Sequence, residues 1–398
     1  MVDDGPSPAK KQGSTRALVA LLAFVLGFAT VPHRVMERDA SRWFDGDPEK
    51  TDALAAGLAR WTSSPDLGPA SFETGSRRFD GEWLFATYMM AAMGFGQLPL
   101  ERPDVRDTNL ERMERCLDAM LEPRVQPFDD EAWGGDALTS VAAPPGSSLD
   151  RGHVAYLGYA GLALSLHRVL RPTSRFSARE EAFASALARR IDASPAGLVE
   201  TYPNEVYPVD NTSALGALAL HARATKQPPP AALARGLDAI RTKAIDPRTG
   251  LLHQSVTLAD ASPIDAPRAS GTALAAYFLS YADEVTSRAL FEALERSQFR
   301  TVLGFGGMME YPPGTRGRGD VDSGPVFLGF GVSASGFAIG ASRAHGDLET
   351  FTALYATAHL FGAPLEEDGT WTYATGGPIG DAIMFAMLPA PRRRRTWS

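Results

Sequence analysis

The sequence predicts an all-α fold, an (α/α)6 toroid or barrel of about twelve helices in two concentric rings, preceded by one N-terminal transmembrane or signal-anchor helix. Three observations predict it. Apolar periodicity bounded by caps and breakers recurs after residue 48. The resulting helices alternate between a one-sided charged kind and a nearly uncharged kind. Finally, long Pro/Gly/Asp loops precede the uncharged members, whereas the reverse connections are mostly shorter.

The chain opens with a basic head, residues 1–16. "KKQGSTRALVALLAFVLGFATVPHR" then carries an uncharged run from Ala17 to Pro32, close in length to the ~20 residues that span a bilayer. No small-x-small cleavage site follows, so residues 17–33 read as an uncleaved anchor rather than a removed signal. A buried helix is the other reading, but the run has no polar face. The expected location is the cytoplasmic membrane, single-pass, with the main domain on the periplasmic or extracellular side. Residues 34–48 are a linker, 49–390 the toroid domain and 391–398 a basic tail containing "RRRR".

Outer helices are expected at 49–61, 108–121, 177–193, 231–244, 285–297 and 347–361, charged on one side as in "SAREEAFASALARRID". Inner helices are expected at 81–94, 151–170, 210–225, 269–283, 323–344 and 378–388. "GEWLFATYMMAAMGFG", "GHVAYLGYAGLALSLH", "NTSALGALALHA" and "SGTALAAYFLSYA" are apolar around most of their circumference, so protein must surround them. Asp80, Asp150, Asp210, Ser270, Asp322 and Thr375 stand at or beside their starts as caps. Pro325 and Pro378 sit in first turns, where the missing N–H costs little.

A formal net charge of −8 removes the electrostatic case for a nucleic-acid binder. Cys116 is the lone cysteine, so neither an intramolecular disulfide nor a cysteine-based metal site can form. No histidine spacing suggests a metal, no cofactor motif is present, and "DVDSG" lacks the ligand set of a calcium loop. G-x-S-x-G, H-E-x-x-H, Walker and Rossmann contexts are also missing.

Convergence of the inner helices would gather the loops at their N-terminal ends into one polar pocket. "ETYPNEVYPVDN" is the richest of these loops. Carboxyls beside phenols suit acid–base chemistry, because one carboxyl set against aromatics is pushed up and donates a proton while a solvated neighbour stays ionised. Asp210 and Asp322 form the expected catalytic pair, with His153 and Glu205 as further catalytic candidates. Tyr156, Tyr202, Tyr207, Arg268, Glu310, Tyr311 and Asp320 are the expected substrate-binding residues. Each has a structural alternative: Asp210 and Asp322 as helix caps, His153 as a satisfied core residue, Arg268 as half of an internal ion pair.

Three segments, "RGHVAYLGYAGLALSLH", "GLVETYPNEVYPVDNTSALGALALH" and "GDVDSGPVFLGFGVSASGFAIGASRAHGD", give the chain an order that resembles the linalool dehydratase/isomerase-like family of (α/α)6 barrels. The resemblance implies a pocket role for His153. It places the family's paired cysteines near Thr201 and Asp210, so that pair is missing here and an aspartate stands in for one member.

The expected function is a membrane-anchored enzyme of lyase or isomerase type, acting by carboxylate and tyrosine acid–base catalysis on a small molecule. A glycoside hydrolase or polysaccharide lyase is the alternative, because (α/α)6 barrels often act on sugars and the Tyr-rich loop offers stacking faces. A non-catalytic ligand-binding or scaffold domain is the third reading.

Overall fold

The computed structural model describes residues 18–20, 27, 35–321 and 323–392. Asp322, residues 1–16, most of the expected anchor 17–33 and the tail from 393 lie outside them. Among the described residues no helix is long and apolar enough to cross a membrane. Where a linker was expected, residues 35–45 are helical. Ala40, Trp43 and Phe44, spaced three and one apart, form an apolar stripe that buries against the domain.

The expected inner and outer helices are all present. The outer ones are α1 (Pro48–Ser63), α3 (Arg106–Met120), α7 (Ser177–Ala193), α9 (Ala231–Ala239, continued by a π turn over Ile240–Ala244), α11 (Glu284–Ser297) and α13 (Leu348–Gly362). The inner ones are α2 (Arg77–Glu101), α6 (Val154–Leu170), α8 (Pro208–Thr225), α10 (Ala269–Leu279), α12 (Val332–His345) and α14 (Gly377–Met387). Two short helices, α4 (Pro127–Trp133) and α5 (Ala137–Ala142), fill the connection from α3 to α6.

The inner helices close a ring: α2 packs on α6, α6 on α8, α8 on α10, α10 on α12, α12 on α14, and α14 back on α2. Each outer helix covers the ring, as α3 covers α2 and α7 covers α6 and α8. This burial follows from composition. Between Leu84 and Pro99 every residue of α2 except Ala86 is buried, which only a helix without charges can tolerate.

At the C-terminal ends of the inner helices a buried polar group ties three of them together. Gln97 of α2 accepts hydrogen bonds from Tyr277 (3.2 Å) and Tyr281 (2.8 Å) at the end of α10, and donates to the Ala386 carbonyl of α14 at 3.1 Å. All three polar side chains are buried.

Two-stranded antiparallel hairpins decorate the other connections: β1 (Phe299–Val302) with β2 (Phe305–Met308), β3 (Val326–Phe327) with β4 (Phe330–Gly331), and β5 (Pro364–Glu367) with β6 (Thr370–Tyr373). The helix expected at 323–344 therefore begins only at Val332. Leu328 (φ 51°) and Gly329 (φ 88°) make the two-residue turn of a hairpin, and that turn excludes a helix. The helix expected at 269–283 ends earlier, at Leu279.

Candidate active site

The loop 197–207 is built to lie across the mouth of the ring. Asn204 takes a left-handed conformation (φ 65°), which Asn accommodates, and turns the chain so that Tyr202 and Glu205 face each other as a bridge. The Asn211 side chain then clamps the loop onto α8. It accepts from the Val199 N–H at 2.7 Å and donates to the Val199 and Tyr207 carbonyls. Gly152 allows the same loop to touch the start of α6, since a Cβ there would stand 2.2 Å from the Glu200 carbonyl oxygen. One turn on, Gly158 lets α6 and α8 approach closely; a Cβ there would meet Ser213 Oγ at 2.6 Å.

That close approach has a chemical result. The Tyr159 hydroxyl of α6 donates to Asp210 Oδ1 of α8 at 2.7 Å, and Thr201 also hydrogen-bonds this carboxyl. Asp210 therefore does not cap its own helix, whose N-cap is Tyr207. It is half-buried between α6, α8 and the 197–207 loop. Burial pushes its pKa up to about 6, against the opposing pull of Tyr159 and Thr201.

Glu82, Ala86, Tyr159, Asp210, Leu274 and Ile383 are partly exposed although their helices lie within the outer ring. Glu82, Tyr159 and Asp210 lie toward the N-terminal ends of their helices and Leu274 and Ile383 near the middle of theirs; part-exposed side chains on five inner helices, inside the outer ring, outline a recess. The recess is thus polar on the α2–α6–α8 side and apolar on the α10–α14 side. Tyr202 is buried at its edge beneath the Arg78 guanidinium, which stands 3.7 Å from the ring centroid. Glu82 and Asp210 both act electrostatically on the Tyr202 phenol, and burial raises its pKa well above the ordinary value. Tyr207 is raised by burial and by the Glu205 carboxylate that accepts its hydroxyl at 3.0 Å.

His153 sits at the N-cap of α6 with φ 52°. Its Nδ1 is 2.6 Å from Asp129 Oδ2 of α4, and both side chains are buried. Trp133 stacks on the imidazole at 4.7 Å. Burial raises Asp129, opposed by its bond to His153. This pair ties α4 to the head of α6 and leaves His153 out of the recess lining. Tyr156 is likewise a core residue: its hydroxyl donates to the Met120 carbonyl at 3.0 Å and the ring is fully buried, so it offers no face to a substrate. Asp150, expected as a cap, instead accepts from Arg190 at 2.9 Å and Arg189 at 3.1 Å.

Glu205 is solvent-exposed at the rim rather than enclosed beside Asp210. Arg268 is internally paired: its Nε donates to Glu310 Oε1 at 3.0 Å, a second nitrogen reaches Asp320, and Tyr311 lies under the guanidinium at 5.3 Å. Glu310 also accepts from Ser270 at 2.6 Å, and burial raises its pKa. This group braces the start of α10 against the 309–321 loop. The structure thus gathers Asp210, Tyr202 and Tyr207 at one recess and holds Arg268, Glu310, Tyr311 and Asp320 as a separate brace.

Sequence reading missed Tyr159 and Arg78; Glu82 was expected among the pocket carboxylates and Thr201 only as a position implied by the resemblance. Tyr159 was hidden as one aromatic among many in an apolar helix, although Tyr156 and Tyr159 are three residues apart and cannot both face the axis-side neighbour equally. Arg78 could have been found as a charge in the first turn of an otherwise apolar inner helix.

Compared by sequence, the chain matches no family and no curated protein. Compared by fold, it is similar to the GH76A alpha-1,6-mannanase from Salegentibacter sp. HEL1_6, with TM-score 0.53 and 11% identity over 86% of this chain and 98% of that one. An inactive variant of that enzyme in complex with alpha-1,6-mannotriose gives the same values. A GH76 alpha-mannanase of Bacteroides thetaiotaomicron follows at TM-score 0.48 and 11% identity, over 78% and 86% of the two chains. The likeness establishes the (α/α)6 toroid. It does not single out the linalool dehydratase/isomerase-like branch of that architecture.

Proposed function

We propose that this chain is a carbohydrate-active toroid enzyme that cleaves a glycosidic bond, with the Asp210 carboxyl as its proton donor. The observation that carries the reading is the enclosure of Asp210 within the recess, where burial holds it near pKa 6 while Tyr159 and Thr201 fix its orientation. Glu82, beside Arg78 and Tyr202, supplies the second carboxylate that glycoside cleavage needs, as base or nucleophile. Tyr202 and Tyr207 provide the aromatic wall for a sugar ring. The scaffold is shared with enzymes named as alpha-1,6-mannanases, one of them held with a mannotriose, which makes a mannose-containing oligosaccharide the first substrate to try.

A lyase or isomerase acting on an allylic alcohol is the second reading. One observation favours it: Thr201 and Asp210, the two positions at which the resemblance places a reactive pair, do meet in a hydrogen bond. The apolar side of the recess suits a hydrocarbon chain.

The test incubates the full chain and its Asp210→Asn variant with alpha-1,6-mannooligosaccharides, a wider oligosaccharide panel and terpene alcohols. Reducing ends and volatile products are measured in parallel. New reducing ends that vanish in the variant support glycoside cleavage. Dehydrated or isomerised alcohol with no reducing ends replaces it by the second reading, and no turnover of any substrate overturns both. The toroid is further proposed to sit outside the cytoplasmic membrane, tethered by residues 17–33. Protease accessibility in intact spheroplasts tests this, and full protection overturns it.

A further inference from the structure

A cavity of about 490 Å³ lies on the outside of the toroid and shares no lining residue with the recess. Its walls come from helix 35–45, the start of α1, the end of α13 and the β5–β6 hairpin, through Val35, Arg38, Lys50, His359, Glu366 and Trp371 among others. Lys50 is buried there. Its Nζ is 2.6 Å from Asp39 Oδ1 and stands 4.5 Å from the Trp371 ring centroid. Arg42 is paired with Asp47 at 2.7 Å and Glu49 at 2.9 Å. These charges are mutually satisfied. Two others are not: among the described residues the Arg38 and Glu366 side chains form no hydrogen bond or ion pair, and both face this cavity.

We propose that this cavity seats the zwitterionic headgroup of an aminophospholipid, with the phosphate at Arg38 and the primary ammonium at Glu366. The proposal is independent of the reaction in the recess and rests on the reading of residues 17–33 as a membrane anchor. Three observations select this occupant. One uncommitted cation and one uncommitted anion on the same cavity complement a zwitterion rather than a simple anion. The Trp371 face that a quaternary ammonium would require already carries the Lys50 ammonium, which favours a primary amine bonding to a carboxylate over a choline. Finally, the surroundings are those of a bilayer boundary. Val35 is 57% exposed, Leu360 and Phe361, next to His359, are 54% and 70% exposed, and the uncharged run Ala17–Pro32 ends just before the cavity wall begins.

The experiment uses the full chain in detergent, titrated with dihexanoyl phosphatidylethanolamine, the matching phosphatidylcholine and phosphatidylglycerol, and chain-free glycerophosphoethanolamine. Binding is followed by tryptophan fluorescence and thermal shift in wild type, Arg38→Gln, Glu366→Gln and Phe361→Ser. All three substitutions are at exposed positions, and circular dichroism verifies their folding. Saturable binding of the ethanolamine lipid is expected, weakened about fivefold by either charge removal, the scale of one exposed ionic contact. Phe361→Ser is expected to weaken the lipid but not the chain-free headgroup. Equal response to all three lipids, binding indifferent to both charge removals, chain-free headgroup binding as tightly as lipid, or no binding at all each overturns the proposal. Flotation of the full chain with vesicles separately tests the anchor.

Discussion

Tyr159 and Asp210 are joined by a 2.7 Å hydrogen bond that crosses from α6 to α8 and fixes a half-buried carboxyl of the recess. The phenol opposes the effect of burial, so the acid lies near 6 rather than higher. A proton donor of that strength is half available in mildly acidic solution and scarce in alkali.

Replacing Asp210 by Asn is expected to reduce kcat about 10²- to 10⁴-fold, the usual contribution of a positioned proton donor. Stability moves the other way. Because the folded pKa is raised above the unfolded value near 3.8, wild type loses stability as pH climbs from about 4 to about 6. The variant does not titrate there. Its Tm is therefore expected to exceed that of wild type by more at pH 7.5 than at pH 4.5, as read by differential scanning calorimetry.

Tyr159→Phe removes a bond that favours the ionised form of Asp210. The alkaline limb of kcat/KM, expected near pH 6 in wild type, should move upward in the variant. A pH–rate profile on whichever substrate is turned over checks this. An unmoved limb would mean that Asp210 is not the group whose protonation limits the reaction.

His153→Ala leaves Asp129 buried without its partner. Breaking a buried pair from one side costs about 3–5 kcal/mol, so a drop of several degrees in Tm is expected at pH 7. The loss should shrink toward pH 4, where Asp129 can take up a proton. If His153 only positions α6, then Asp129→Asn, which puts a neutral amide in place of the buried carboxyl, should keep a larger share of Tm than His153→Ala.

Away from the recess, Glu295 of α11 is raised to about 7 by burial and by the neighbouring Asp347, the N-cap of α13, which stays ionised. For a carboxyl raised in this way, the stabilisation is full below the unfolded pKa near 4.5 and is lost as pH rises through 7. Glu295→Gln is expected to raise Tm at pH 8.5 and leave it nearly unchanged at pH 4.5 in urea or thermal unfolding.

The rings were legible because burial leaves a mark that a sequence cannot hide. α2, α6, α8 and α10 lack charge around most of their circumference, and only enclosure on all sides allows that. The Thr201–Asp210 side of the recess was legible too, since polar residues crowd one loop before one helix. The partners were not. Asp129 reaches His153 from a short helix that composition alone does not separate from loop, and Tyr156 looked as suitable as Tyr159 until helix phase assigned one to Met120 and the other to Asp210. The β3–β4 hairpin was read as helix because "SGPVFLGFG" is apolar without a period of either kind. The backbone of Leu328 and Gly329 decides that region, and side-chain pattern does not record it.

The buried link among Gln97, Tyr277, Tyr281 and the Ala386 carbonyl ties α2, α10 and α14 to one another at their C-terminal ends. None of the three can shift along the ring axis without breaking a buried polar bond, so they are expected to move as one block.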